Sequence, residues 1–257
     1  MNTLDLNCDM GEGFGVYAMG DDEALLGYVN SANIACGFHA GDPGTMARTV
    51  RAATARGVAV GAHPGLPDLL GFGRRAMAVS PAEAYDLVVY QIGALQAVAA
   101  AAGTRVRHVK THGALDNMAV VDEKLSEAIG RAVRDVDASL LFYAMSGSVT
   151  ATVARGLGLH VVSVVYADRS YQDDGTLTPR RQPGAMITDL QQSVAQVRDM
   201  LERGFVRALS GREIPIEAQA LSLHGDQPGA VAFATGLTQA LRAGGVRLGA
   251  AAAPATA

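Results

Sequence analysis

The chain has 257 residues, which suits one large domain, and its 49% hydrophobic content is enough for a sizeable core. Aromatic residues reach only 5% and tryptophan is absent, so Ala, Val, Leu and Gly must do the packing. A net charge of −4 without a basic block argues against nucleic-acid and membrane-surface partners, and two cysteines, Cys8 and Cys36, are no disulfide framework.

The opening MNTLDLNCDM reads as a strand rather than as a signal peptide, and the longest uninterrupted apolar runs fall short of a membrane span. A cytoplasmic protein is expected. In chain order, a first strand is predicted near 3–7 and a second over 31–35. Asp42-Pro43 reads as N-cap and first helical position of a helix to about Arg56, which Gly57 stops. A third strand follows over 58–62. Ser80-Pro81-Ala82-Glu83 is a capping box opening a long helix that ends at Gly103. The pattern continues with a strand over 106–110, a helix from about Val121, a strand near 140–144 and a helix from about Ser148. A strand near 160–165, a helix over about 189–203, a strand near 218–224 and a helix from about Gly229 complete it. Residues 1–248 are expected to form one domain, and the Ala-rich 249–257 a disordered tail.

Alternating strands and helices imply a parallel sheet with crossover helices, as an open sheet or a barrel. Strands covered on both sides usually read as continuous apolar runs. These alternate instead. Asp5, Asn7 and Asp9 share a face, as do Ser31 and Asn33, Gly61 and His63, His108, Lys110 and His112, and Ser222 and His224. The polar faces are expected to point into a shared interior. An antiparallel sheet with one wet face, or a polar network without chemistry, would give the same alternation.

In α/β barrels the C-terminal ends of the strands carry function. Here they run CDMGEGFG, CGFHAGDP, HPGLPDLLGFGRR, KTHGALDN, YADRSY and HGDQP. Asp9, Lys110, His112, His63 and His224 are the candidate catalytic groups. Asn7, Glu12, Asn33, His39, Arg74, Asp168, Arg169 and Asp226 are the candidate substrate contacts. Asp42 reads as a helix cap, His160 lies at the wrong end of its strand, His108 sits deep, and both cysteines read as packing residues. Two chemistries suit the set. Asp9 or a histidine takes a proton from water while Lys110 stabilises negative charge. Alternatively Asp9, His39 and His63 hold a divalent metal. No nucleotide-binding loop signature is present.

The segments DLNCDMGEGFG, SANIACGFHAGDP, GVAVGAHPG, GFGRR, YQIGAL, HVKTHGAL, ADRSY and LHGD, in this order, resemble the LamB/YcsF family, the A subunit of prokaryotic 5-oxoprolinase. The resemblance implies a seven-stranded (β/α) barrel of the glycoside hydrolase/deacetylase type. It implies hydrolysis of 5-oxo-L-proline to L-glutamate driven by ATP, with Mg2+, shared with subunits B and C. A stand-alone metal-dependent deacetylase-like hydrolase and a non-catalytic subunit holding a small acid are the rival readings, and a homo-oligomer is open. The chain departs from the family pattern at Thr111 (usually Pro), Asp116 (usually Tyr), Val164 (usually Glu), Ser222 (usually Cys) and Leu66 (usually aromatic). Val164 is expected on the inner face, with Asp116 supplying a carboxylate in compensation.

Overall fold

A computed structural model describes residues 3–252. The strands are β1 (Asp5–Met10), β2 (Ser31–Ala35), β3 (Ala59–His63), β4 (Val106–Lys110), β5 (Leu141–Met145), β6 (His160–Tyr166), β7 (Phe205–Arg207), β8 (Glu213–Pro215) and β9 (Ala220–Leu223). The helices are α1 (Asp22–Leu25), α2 (Pro43–Ala55), α3 (Pro81–Ala101), α4 (Gly113–Ala119), α5 (Glu123–Val136), α6 (Val149–Gly156), α7 (Leu190–Arg198) and α8 (Ala230–Ala243). Seven strands close into a parallel barrel in the order β1-β2-β3-β4-β5-β6-β9. This decides between open sheet and barrel, and it removes the antiparallel alternative.

The alternation in sequence becomes inside and outside. Leu6, Cys8, Ile34, Val60, Ala62, Val109, Phe142 and Leu221 belong to the apolar core with Val50 of α2, Val88, Ile92 and Leu95 of α3, and Ile129 of α5. Fully burying each large aliphatic side chain contributes about 1.5–3 kcal/mol. Helix α3 is long and apolar enough by composition to cross a membrane. Here it packs on β3, β4, α2 and α5. Its capping box is present, with Glu83 N 3.2 Å from Ser80 Oγ and Ser80 N 2.7 Å from Glu83 Oε2. Asp42 likewise caps α2 through Gly44 N and Thr45 N.

The inner face is polar from the barrel floor upward. Asp5 Oδ2 accepts from Ser31 Oγ at 2.7 Å, from the Tyr143 hydroxyl and from Ala251 N at 2.8 Å. Above it, Asn33 Nδ2 donates to Asn7 Oδ1 at 2.9 Å, and Asn33 Oδ1 pairs with His108 Nε2 at 2.7 Å. Gly61 faces His108 in the register, and a Cβ there would fall 2.0 Å from His108 Nε2, so the glycine makes room for the ring.

Two expectations need correcting, and two elements, α4 and the β7–β8 ribbon, were not anticipated. The chain does not leave the barrel at 248: Gly249 N donates to Leu4 O at 3.1 Å and Ala251 N to Asp5, closing the floor. Residues 253–257 of the predicted tail lie outside the described residues. The helix expected from Val121 is preceded by α4, which starts directly after β4, and Asp122 caps α5 by accepting from Leu125 N at 3.0 Å. The helix expected over 189–203 is α-helical only to Arg198, becomes a π-helical turn over Asp199–Arg203, and stops at Gly204 with φ 70°. The antiparallel ribbon β7–β8 was not anticipated; strands of three residues carry no readable alternation.

Candidate functional site

The strands of the barrel deliver their last inward residues to one mouth. Asp9, at the end of β1, is nearly buried. Its Oδ1 lies 2.8 Å from Lys110 Nζ on β4 and 2.8 Å from Asn33 Nδ2 on β2, and its Oδ2 lies 3.2 Å from His63 Nε2 on β3. Burial pushes the Asp9 carboxyl up, but the charges of His63 and Lys110 outweigh it and hold the group well below the usual carboxylate range. An ionised carboxylate therefore sits beside a cation at the bottom of the mouth. The layer below orients it, since His108 fixes Asn33 and Asn33 fixes Asp9.

Beside this pair stand three more groups. His63 Nδ1 lies 2.6 Å from Lys110 O, and His112 Nε2 lies 2.8 Å from Phe72 O. A carbonyl only accepts, so both of those nitrogens carry hydrogens. His63 Nε2 and His112 Nδ1 then face one another at 2.9 Å. The His39 ring stacks on His112 with centroids 3.8 Å apart. Glu12 Oε1 lies 3.6 Å from His39 Nε2 and 3.7 Å from His112 Nδ1. One ligand atom from each of Glu12, His39, His63 and His112 falls within 4.8 Å of the others. Glu12 Oε1 and both nitrogens of His39 are buried without a hydrogen-bond partner. Such groups cost about 1–3 kcal/mol each when left unpaired. Burial, then neighbouring charge, keeps Glu12 well above its usual range and His39 and His112 well below theirs, so these two imidazoles are neutral.

Glycines shape this pocket. A Cβ on Gly65 would meet His39 Nδ1 at 2.5 Å, and one on Gly73 would meet His39 Cβ at 2.6 Å and His112 Cδ2 at 2.9 Å. Gln91 of α3 clamps the turn from behind: its Nε2 donates to Gly65 O, and its Oε1 accepts from Gly65 N, both at 2.9 Å.

Across the mouth, His224 Nδ1 lies 2.9 Å from Asp168 Oδ2, which also accepts from His224 N at 3.0 Å. Burial works against the Asp168 charge, but His224 holds its carboxyl below the ordinary value. Because Nδ1 is engaged, Nε2 is the free nitrogen of His224. Arg74 reaches from the loop after β3 to Asp226 after β9 at 2.8 Å. A cavity of about 800 Å³ opens between these elements. Asp9, Lys110, His112, Tyr166 and His224 line it, and Arg74, Arg75, Arg169, Arg180 and Arg181 make its wall cationic although the whole chain is acidic.

Of the candidate catalytic groups, Asp9, Lys110, His112 and His224 line this cavity, and His63 lies behind Asp9 and His112. The candidate substrate contacts divide. Asn7 and Asn33 lie beneath Asp9, while Glu12 and His39 lie in the histidine pocket. Asp168 sits behind His224, and Arg74 and Asp226 bridge the rim. Arg169 spends donors on Thr178 O and Ala185 O of its own loop. Cys8 and Cys36 are free and buried, and burial pushes the Cys36 thiol up to about 12.

Sequence reading missed Gln91, Phe72, Arg180 and Arg181. Phe72 contributes its carbonyl, at φ 55°, which no side-chain pattern advertises, and a ring edge-on to His112 and beneath the Arg74 guanidinium. Two departures from the family pattern prove to be partners: Thr111 Oγ1 donates to Asp116 Oδ1 at 2.6 Å, and both line the cavity. Val164 is on the inner face as expected, beside Met145 and Ala220 in the register.

Comparisons with known proteins agree with this architecture. The A subunit of 5-oxoprolinase from Bordetella parapertussis is 58% identical over 249 residues, covering 97% of this chain and 99% of that one. A lactam utilization protein from Thermus thermophilus, known from its crystal structure, is 44% identical with a TM-score of 0.91, over 97% of this chain and all of that one. The catalytic domain of a peptidoglycan N-acetylglucosamine deacetylase from Eubacterium rectale shares the fold alone, at 12% identity and a TM-score of 0.51, over 99% of this chain and 94% of that one. The LamB/YcsF family model matches residues 4–256, and the chain belongs to that family.

Proposed function

We propose that this chain is the A subunit of an ATP-dependent 5-oxoprolinase, a cytoplasmic hydrolase that opens the lactam of 5-oxo-L-proline to L-glutamate together with B and C subunits. One observation carries this reading: the relatives that match along nearly the whole chain bear that name. The site supports it chemically. A lactam is a stable amide, and phosphorylating its carbonyl oxygen with ATP and Mg2+ activates the carbon. The arginine-rich wall suits the phosphoryl group that this creates. No nucleotide loop signature occurs in the chain, so the phosphorylation step is assigned to the partners.

The chain's own residues then act on the activated lactam. Water adds to the carbonyl carbon, the ring C–N bond breaks, and the ring nitrogen takes a proton. The resulting acyl phosphate is released by a second water as carboxylate and phosphate. Lys110 stabilises the developing oxyanion. Asp9, held ionised by its neighbours, is a weak base; it orients Lys110 and the attacking water. His224, with Nδ1 fixed by Asp168, presents Nε2 as the group that moves protons between water and ring nitrogen.

The test is glutamate release from 5-oxoproline with ATP in the reconstituted complex. Lys110→Met and Asp9→Asn, with the fold intact by circular dichroism, should abolish it. Near-normal turnover in both would refute the catalytic assignment and leave a chain that only binds.

A further inference from the structure

We propose that Glu12, His39, His63 and His112 form a binding site for one divalent transition-metal ion of the zinc class. The argument is geometric. His63 and His112 each give one ring N–H to a backbone carbonyl, which is the second contact that fixes a metal-ligating histidine. The two nitrogens left over meet at 2.9 Å, and His63 Nε2 also stands 3.2 Å from Asp9 Oδ2. Glu12 Oε1 stands 3.6 and 3.7 Å from the nearest histidine nitrogens, too far for a hydrogen bond. Two donors bound to one tetrahedral zinc, each about 2.0–2.1 Å from it, stand about 3.3 Å apart. The three separations of 2.9, 3.6 and 3.7 Å bracket that value, and all four donor atoms lie within 4.8 Å of one another.

The burial points the same way. His39 is fully buried, and neither of its nitrogens has a partner. Glu12 Oε1 is orphaned beside it. An acid and an imidazole unpaired in one closed pocket, next to two pre-oriented imidazoles, make a ligand set. Three nitrogens and one carboxylate oxygen suit Zn2+ or Co2+ rather than Mg2+ or Ca2+. The set differs from the Asp9, His39 and His63 combination that strand ends alone suggest, because Asp9 is already engaged by Lys110 and Asn33. The inference does not rest on the lactam reading: metal binding without lactam hydrolysis, or hydrolysis without metal, separates the two.

The test uses the full chain, stripped with a chelator, dialysed, and titrated with Co2+ while visible absorption is followed. One equivalent with the intense bands of a four-coordinate site is expected, displaced by Zn2+ and not by Mg2+. Affinity should fall roughly ten-fold or more in both His39→Gln and Glu12→Gln. It should hold in His160→Gln, whose exposed imidazole sits at the start of β6. A wild-type chain without a saturable equivalent overturns the proposal, and so does wild-type affinity in either variant; His63 and His112 then share a proton. Should a variant fail to fold, the wild-type melting temperature decides. One equivalent of Zn2+ must raise it, and no rise overturns the proposal.

Discussion

Adding a single methyl group at Gly61 tests how the barrel interior holds the site. A Cβ there would lie 2.0, 2.2 and 2.3 Å from Nε2, Cε1 and Cδ2 of His108, so the ring as a whole must move. The ring cannot move freely: it stacks on Tyr143 with centroids 4.3 Å apart, and Nε2 pairs with Asn33 Oδ1. Overpacking of this kind costs about 1–3 kcal/mol. Orphaning the buried Asn33 carbonyl adds about 1–3 kcal/mol. The sum, about 2–6 kcal/mol, corresponds to a drop in melting temperature of roughly 4–24 °C for a chain of this size. Thermal unfolding of Gly61→Ala reads the drop. In the double variant Gly61→Ala/His108→Ala the clash disappears, so the two losses should fail to add by about 1 kcal/mol or more. A Gly61→Ala protein that melts with the wild type, or strict additivity in the cycle, would refute the reasoning.

Asp5 gives a pH signature. Its carboxyl is raised, first by burial, although Tyr143, Ala251 and Ser31 hydrogen-bond to its charged form. The folded state therefore keeps the proton after the unfolded state has lost it, and stability falls as pH rises from about 4 through the raised value. Melting temperatures of wild type and Asp5→Asn should converge in acid, with wild type losing ground toward neutral pH; a gap constant across pH would sink this. Gln91→Leu removes both clamps on the Gly65 turn and orphans two buried backbone groups, a loss of about 1–3 kcal/mol for each. Chemical denaturation measures that loss, and hydrogen exchange at Gly65 N should rise; unchanged exchange would show that the clamp does not hold the turn.

How much of this was legible beforehand follows from periodicity. Asp5, Asn7 and Asp9 declare one polar face because side chains on a strand alternate, and that alternation survives any tertiary arrangement. The capping box at Ser80 and the Asp42 cap are equally local, and both form as read. The rim residues were found for the same reason, as the last inward position of each strand. Their partners were not. Whether Asp9 meets Lys110, 101 residues away, depends on the register with which β1 closes against β2 and β9 and on the shift between β3 and β4. Arg169 read as a substrate contact; it lines the cavity, but its loop folds back and gives its guanidinium two carbonyls, which no local pattern announces.

The sequence by itself determined the alternation of strands and helices, the apolar and polar faces, and the loops that carry reactive groups, because each of these is set by neighbours a few residues away. Only the tertiary structure decided that Glu12 and three histidines from the ends of three further strands or the turns after them converge, that Asn33 and Lys110 meet at Asp9, and that 249–251 seal the barrel floor. Those contacts join residues tens to hundreds of positions apart, and their distances exist only once the sheet has closed on itself.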